Sequence, residues 1–123
     1  MAYDEHLADR VRQIFAEQHV MTEEKRMMGG LCFMVNDKMC TGISGDMLMA
    51  RIDPEIYPQA LTRPGAREMD FTGRPMRGFV FVEAEAIDED ADLQDWVQLC
   101  IDFNPRARSS KKRKNLQAKE SYS

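Results

Sequence analysis

Between Leu31 and Ile52 the chain holds three short apolar runs separated by gaps of only two or three residues. Leu31-Cys32-Phe33-Met34-Val35 meets Asn36-Asp37, both tolerant of positive φ, and Lys38-Met39-Cys40-Thr41-Gly42-Ile43 follows. Gly45-Asp46 then turns into Met47-Leu48-Met49-Ala50-Arg51-Ile52. Gaps this short leave no room for a crossover, so the runs are expected to pair as an antiparallel meander. A regular pairing across Asn36-Asp37 sets Val35 opposite Lys38 and Phe33 opposite Cys40. One sheet face then carries Cys32, Met34, Met39, Thr41, Ile43, Leu48, Ala50 and Ile52; the other carries Leu31, Phe33, Val35, Cys40, Gly42, Met49 and Arg51. Both faces are apolar, whereas a sheet with one wet face alternates apolar with polar. Helices are expected to cover one face, and the short middle helix or a second subunit part of the other.

The flanking segments read as helices and a further hairpin. Tyr3, Leu7, Val11, Ile14 and Phe15 recur at helical spacing over residues 3–18. Residues 24–35 are expected to run extended through Gly29-Gly30 into the first strand. Asp53-Pro54 starts a short helix through Leu61, because Asp caps free amides and Pro suits the first helical position. Residues 68–71 and 76–85, joined by Thr72-Gly73-Arg74-Pro75, read as the second hairpin. Asp88–Asp92 places acids at the start of a last helix, whose stripe is Leu93, Trp96, Val97, Cys100 and Ile101. The expected class is α+β, with the order α-β(3)-α-β(2)-α, an antiparallel meander plus a hairpin with helices packed on the sheet. The domain is expected to span residues 1–104, with a flexible basic tail over 105–123.

The formal net charge of −4 hides a division: residues 1–104 carry −10 and residues 105–123 carry +6. The two parts should attract different partners. No apolar run approaches the roughly 20 residues of a membrane span, and the acidic N-terminus lacks the basic start of a signal peptide. Three cysteines without C-x-x-C spacing suit reduced thiols. The expectation is a cytoplasmic protein with no membrane partner.

Arg26-Met27-Met28-Gly29-Gly30, the strand after it, Asn36-Asp37-Lys38-Met39, the Leu48–Asp53 strand and the late Leu93-x-x-Trp96 helix occur in an order that resembles the N-terminal domain of the TfoX/Sxy competence-regulator family. The resemblance covers roughly residues 8–104. It implies the α-β(3)-α-β(2)-α fold and a non-enzymatic, transcription-linked role in a bacterium, with no catalytic residues to carry over. Full-length regulators of that kind have a second, helical C-terminal domain, where this chain has a short basic tail.

Candidate chemistry is sparse. Gly29-Gly30 leads into a strand, not a helix N-terminus, so close backbone packing accounts for it better than a phosphate cradle. His6 and His19 have no cysteine or acid at ligand spacing, so no metal is expected. Buried, unreactive cysteine is the ordinary reading of Cys40 and Cys100. Arg26, Arg51, Arg74 and Arg77 lie at strand ends or turns and would contact an anion if they converged; scattered surface pairing is the plainer reading. Arg106, Arg108, Lys111, Lys112, Arg113 and Lys114 form a basic tail suited to phosphate contacts without base reading. Ten methionines, six of them within residues 27–49, suit an adaptable binding surface as well as a core.

These features favour a non-enzymatic binding or regulatory module without cofactor. Leu31, Phe33, Val35 and Met49 would form the face that takes a protein partner or a second copy. The tail would add non-specific attraction to DNA or RNA. The alternatives are a chaperone-like dimer that binds peptides and a small-ligand or thiol enzyme, which would need a cysteine of lowered pKa.

Overall fold

A computed structural model describes residues 3–27, 29–69 and 76–107. Helix α1 (Glu5–Glu17) begins where Asp4 accepts hydrogen bonds from the amides of His6 (2.9 Å) and Leu7 (3.2 Å). It ends at His19, whose φ of +56° breaks the helix. Four of the five predicted apolar positions, Leu7, Val11, Ile14 and Phe15, are buried with Ala8 along its inner face. Six strands follow: β1 (Glu23–Met27), β2 (Gly30–Val35), β3 (Lys38–Ser44), β4 (Met47–Arg51), β5 (Ala66–Glu68) and β6 (Phe79–Val82). Between β4 and β5, Asp53 caps a 3-10 turn (Pro54–Ile56) that runs into the short helix α2 (Tyr57–Ala60). A second 3-10 turn (Ala84–Ile87) leads from β6 to α3 (Asp90–Phe103), and a third (Asn104–Arg106) follows it.

The sheet is antiparallel throughout, in the order β1-β2-β3-β4-β6-β5. The α+β class and the meander hold, with one strand more than expected. The extended stretch 24–35 divides into β1 and β2, which pair with each other from Met27↔Gly30 to Glu23↔Met34. Gly30 permits this crowding, since a Cβ there would lie 1.9 Å from the Ile43 carbonyl oxygen. In the second hairpin β5 ends at Glu68, and β6 gives way at Ala84 to helical turn where strand was expected. Residues 70–75, which hold the end of its expected first strand and the expected turn at 72–75, lie outside the described residues.

The expected register is corrected at one point. Asn36 (φ +55°) and Asp37 (φ +65°) make the two-residue turn, and Val35 does face Lys38. A β-bulge then intervenes, so that Phe33 pairs with Thr41 and Leu31 with Ile43. Cys40 is the extra residue, and it shifts everything beyond it by one position. The two expected faces are therefore exchanged from Thr41 onward. Leu31, Phe33, Cys40, Ile43, Leu48, Ala50, Ile52, Val80 and Val82 share one core with α1 and α3. Phe15 of α1 meets Phe33 with ring centroids 5.8 Å apart, and Leu93, Trp96, Val97 and Cys100 of α3 complete the layer. Tyr57 and Ala60 of α2 belong to this core as well, so the middle helix does not serve the opposite face.

Outside the core, α1 is tied to the edge strand β1. Arg12 donates to both carboxylate oxygens of Glu24 (2.7 and 2.9 Å) and to Asp9 (2.6 Å). The pair holds the Glu24 carboxyl below its ordinary pKa, chiefly through the Arg12 hydrogen bond. A carboxyl lowered by folding stabilises the native state above its unfolded pKa of about 4.3, and that contribution disappears as pH falls through the folded value. Both side chains are about one-third exposed, so the pair is worth only about 0.5 kcal/mol. Arg12→Gln should lower stability by about that amount at pH 7 and by nothing measurable well below pH 4, as urea titrations at the two pH values would show.

Candidate partner face and cationic tail

Opposite the helices lies a second, sulfur-rich layer. Cys32, Met39, Met49 and Met69 are buried together, and Met34, Phe79 and Phe81 pack on them half-exposed. Alternation along the strands builds this layer. Cys32 pairs with Gly42, Gly42 with Met49 and Met49 with Phe81 across four successive strands. Gly42 makes room, since a Cβ there would meet the Met49 methyl at 2.7 Å. Toward the β1 edge, Met27 stays 40% exposed. Arg51 spans the layer with its guanidinium 5.4 Å above the Phe79 ring and donates to the Met39 carbonyl (3.4 Å). Arg67 on β5 is held by Glu83 at 2.8 Å.

The residues expected to form one partner face are divided by the bulge. Leu31 and Phe33 are buried beneath α1 and α3, and Val35 packs at the border of that same core. Met49 alone lies in the sulfur-rich layer, fully buried. Phe33 is core, not an exposed contact. The half-exposed Met34, Phe79 and Phe81 are the side chains that the layer presents. The signal for them was the methionine count and the Phe79-x-Phe81 alternation, which the missed register had obscured.

Of the described arginines, Arg26 and Arg51 lie on well-separated strands. Arg26 sits on edge strand β1 with its guanidinium 5.9 Å from the Tyr3 ring. Arg51 on β4 is three strands away, about 14 Å at ordinary strand spacing. Arg77 lies 5.9 Å from the Tyr57 ring, and Arg74 is outside the described residues. Each of the three described side chains stacks on a different aromatic ring, which holds it locally.

The folded body reaches beyond the expected boundary at residue 104. Arg106 donates to Asp53 (2.7 Å), stacks 5.2 Å from Phe103 and precedes the buried Ala107. Asn104 is buried and donates to the Val35 carbonyl (3.3 Å). The folded body thus runs at least to Ala107, and Arg106 belongs to it. Arg108, Lys111, Lys112, Arg113 and Lys114 lie outside the described residues.

The three cysteines, Cys32, Cys40 and Cys100, are free and buried. Burial pushes Cys32 above the ordinary thiol range and Cys40 up to about 12, and it raises Cys100 further. A thiol enzyme would need a shift in the other direction. Native protein at pH 8 should therefore leave all three cysteines essentially unlabelled by a thiol reagent over minutes, and denatured protein should react at three per chain. Fast native labelling of one cysteine would contradict the burial. No group of three His, Cys, Asp or Glu side chains is placed to hold a metal among the described residues. Their helices include none long and apolar enough to cross a membrane.

Tyr57 is the polar group that sequence reasoning passed over. Its hydroxyl is buried and has no hydrogen-bond partner among the described residues, and burial raises its pKa, with Glu68 adding to the effect. Removing an unpaired buried hydroxyl relieves a desolvation cost of about 1–3 kcal/mol. Tyr57→Phe should hold or raise the melting temperature, and a lower value would mean that the hydroxyl has a partner in solution.

A six-stranded antiparallel sheet with one face filled by two long helices and the other finished in methionine and phenylalanine defines an α+β domain. The model of the TfoX N-terminal domain matches residues 13–104. The chain belongs to the TfoX N-terminal domain family. Comparison with curated proteins and with solved structures returns no match.

Proposed function

We propose that this protein is a non-enzymatic regulatory binding module of the bacterial cytoplasm that engages an apolar protein partner through the Met34–Phe79–Phe81 side of its sheet. The reading rests on one observation: three half-exposed apolar side chains close a layer whose inner members are mostly methionine. Unbranched thioether chains repack against differently shaped partners at little cost, and aromatic residues beside them provide anchoring area. Membership of a family linked to competence regulation agrees with a regulatory role.

A photo-reactive amino acid placed at Met34, and in a second variant at Gln94 on α3, tests this in cells. Defined cross-linked species at position 34 that are missing at position 94 support the partner face. Identical patterns from the two sites, or none at position 34, would sink it. A cross-link between two copies at position 34 identifies the partner as the protein itself.

A second reading rests on the charge division between the body and the tail. The five cations Arg108, Lys111, Lys112, Arg113 and Lys114, which follow Ala107, would attract nucleic acid by counterion release without reading bases. Full-length protein and a 1–107 truncation would be titrated against labelled duplex DNA across a salt series. Binding by the full-length form alone, falling steeply with salt, supports the electrostatic arm. Equal binding by both places the contact in the folded domain, and no binding by either leaves the protein partner as the sole target.

A further inference from the structure

Between α1 and α3 runs a groove of about 410 Å³ on the side of the molecule away from the methionine layer. Ile14 and Leu93 form its apolar floor, and Asp9, Glu17 and Asp90 stand on its rim. Arg10 is the one cation in the lining. Its guanidinium is already held by the carbonyls of Ile87 (2.9 Å) and Asp88 (3.1 Å) and by the Asp90 carboxylate (3.1 Å). The acidic character continues along α3, which contains Asp90, Asp92, Asp95 and Asp102, all exposed, and neither lysine nor arginine.

The same chain supplies a complementary segment. Residues 108–123 carry six cations against the single Glu120, and they follow Ala107, just past the C-terminal end of α3. From Ala107 back to Leu93 is about 20 Å at helical rise. An extended chain covers that distance in about six or seven residues. Leu116, nine residues beyond Ala107 and an aliphatic side chain of the right size for the floor, can therefore reach the groove with about two or three residues of slack, and Lys111, Lys112, Arg113 and Lys114 would span the α3 aspartates on the way.

We propose that the groove between α1 and α3 is the docking site of the chain's own segment 108–123, with Leu116 over Ile14 and Leu93 and the basic cluster along the aspartates of α3. Charge complementarity supplies the attraction and Leu116 the register, so the contact depends on salt and on one apolar side chain. It goes beyond the functional reading above and depends neither on the tail's meeting nucleic acid nor on a partner at the methionine layer.

A nitroxide attached at Ser121→Cys in the full-length chain provides the test, since the native cysteines are buried. At low salt the label should broaden the amide resonances of Ile14, Glu17, Leu93 and Gln94 while leaving Met34 and Phe81 sharp. Molar salt should abolish the broadening, and so should Leu116→Ser. The combined Asp92→Asn/Asp95→Asn variant, at exposed sites that leave the fold intact, should weaken it severalfold. Equal broadening on both sides of the molecule would overturn the proposal, and so would no broadening at the groove. A sample mixing labelled chains with unlabelled, isotope-enriched chains separates the remaining case. If those enriched chains broaden at the groove, the tail docks onto a second copy and docking within one chain is refuted.

Discussion

Phe33→Asp is expected to leave the chain unfolded at 25 °C, and Phe33→Ala to cost about 3–5 kcal/mol. Phe33 is completely buried and faces the Phe15 ring at 5.8 Å, at the centre of the layer between β2 and α1. Alanine would remove the ring and leave a cavity that two helices and a sheet can only partly close. Aspartate adds the desolvation of a charge among the apolar residues that surround Phe33. A domain of this size has a total stability of about 5–15 kcal/mol, so the second change exceeds the margin. Met34→Asp, one residue away but on the half-exposed side of the sheet, should cost no more than about 1–2 kcal/mol and keep the far-UV spectrum intact. Urea unfolding followed by circular dichroism separates the two positions. Similar, small losses at both would mean that Phe33 is not in the core.

The second large effect is expected at Gly30→Ala, at about 3 kcal/mol or more. The added methyl would sit 1.9 Å from the Ile43 carbonyl oxygen, a backbone atom that cannot rotate away. Either β2 and β3 separate at their first paired residues, or the sheet strains along its length. Gly29 next to it gives the contrast. It has φ +73° and open space where a Cβ would go, so Gly29→Ala should cost only the left-handed backbone penalty of about 1–2 kcal/mol. Equal losses at the two positions would show that backbone angle, not contact with Ile43, decides the Gly30 requirement.

These positions also show what was legible in the chain. The Asn36-Asp37 turn, the apolar stripe on α1, the Asp53-Pro54 start and the stripe on α3 were readable because each depends on residues a few positions apart. The bulge at Cys40 was not. A single extra residue in an apolar run leaves no mark when both faces of the sheet are apolar, and the pairing that reveals it lies across the hairpin. The faces came out exchanged from Thr41 onward, and with them the expected partner face. Strand β1 was half visible for a different reason: Glu23, Glu24, Lys25 and Arg26 are exposed on both sides of an edge strand, so they carry no apolar period. The candidate site suffered most, since three of its four apolar residues belong to the helix side. The tail was legible as charge, but that Arg106 ties back to Asp53 depends on residues 53 positions apart.

The strand order carries a kinetic consequence. From β1 to β4 every neighbour in space is also the neighbour in sequence, so this part can assemble by successive local zippering. The β4–β6 seam is different: it joins Arg51 to Phe79 across 27 intervening residues that include β5 and α2. Loop closure is a slowly rising entropic penalty, and non-local pairing is the step that slows folding in small domains. Refolding should therefore be limited by closing this seam. Substitutions at Ala50 and Val80, which face each other there, would then slow the folding rate, whereas changes in β1 would act mainly on unfolding.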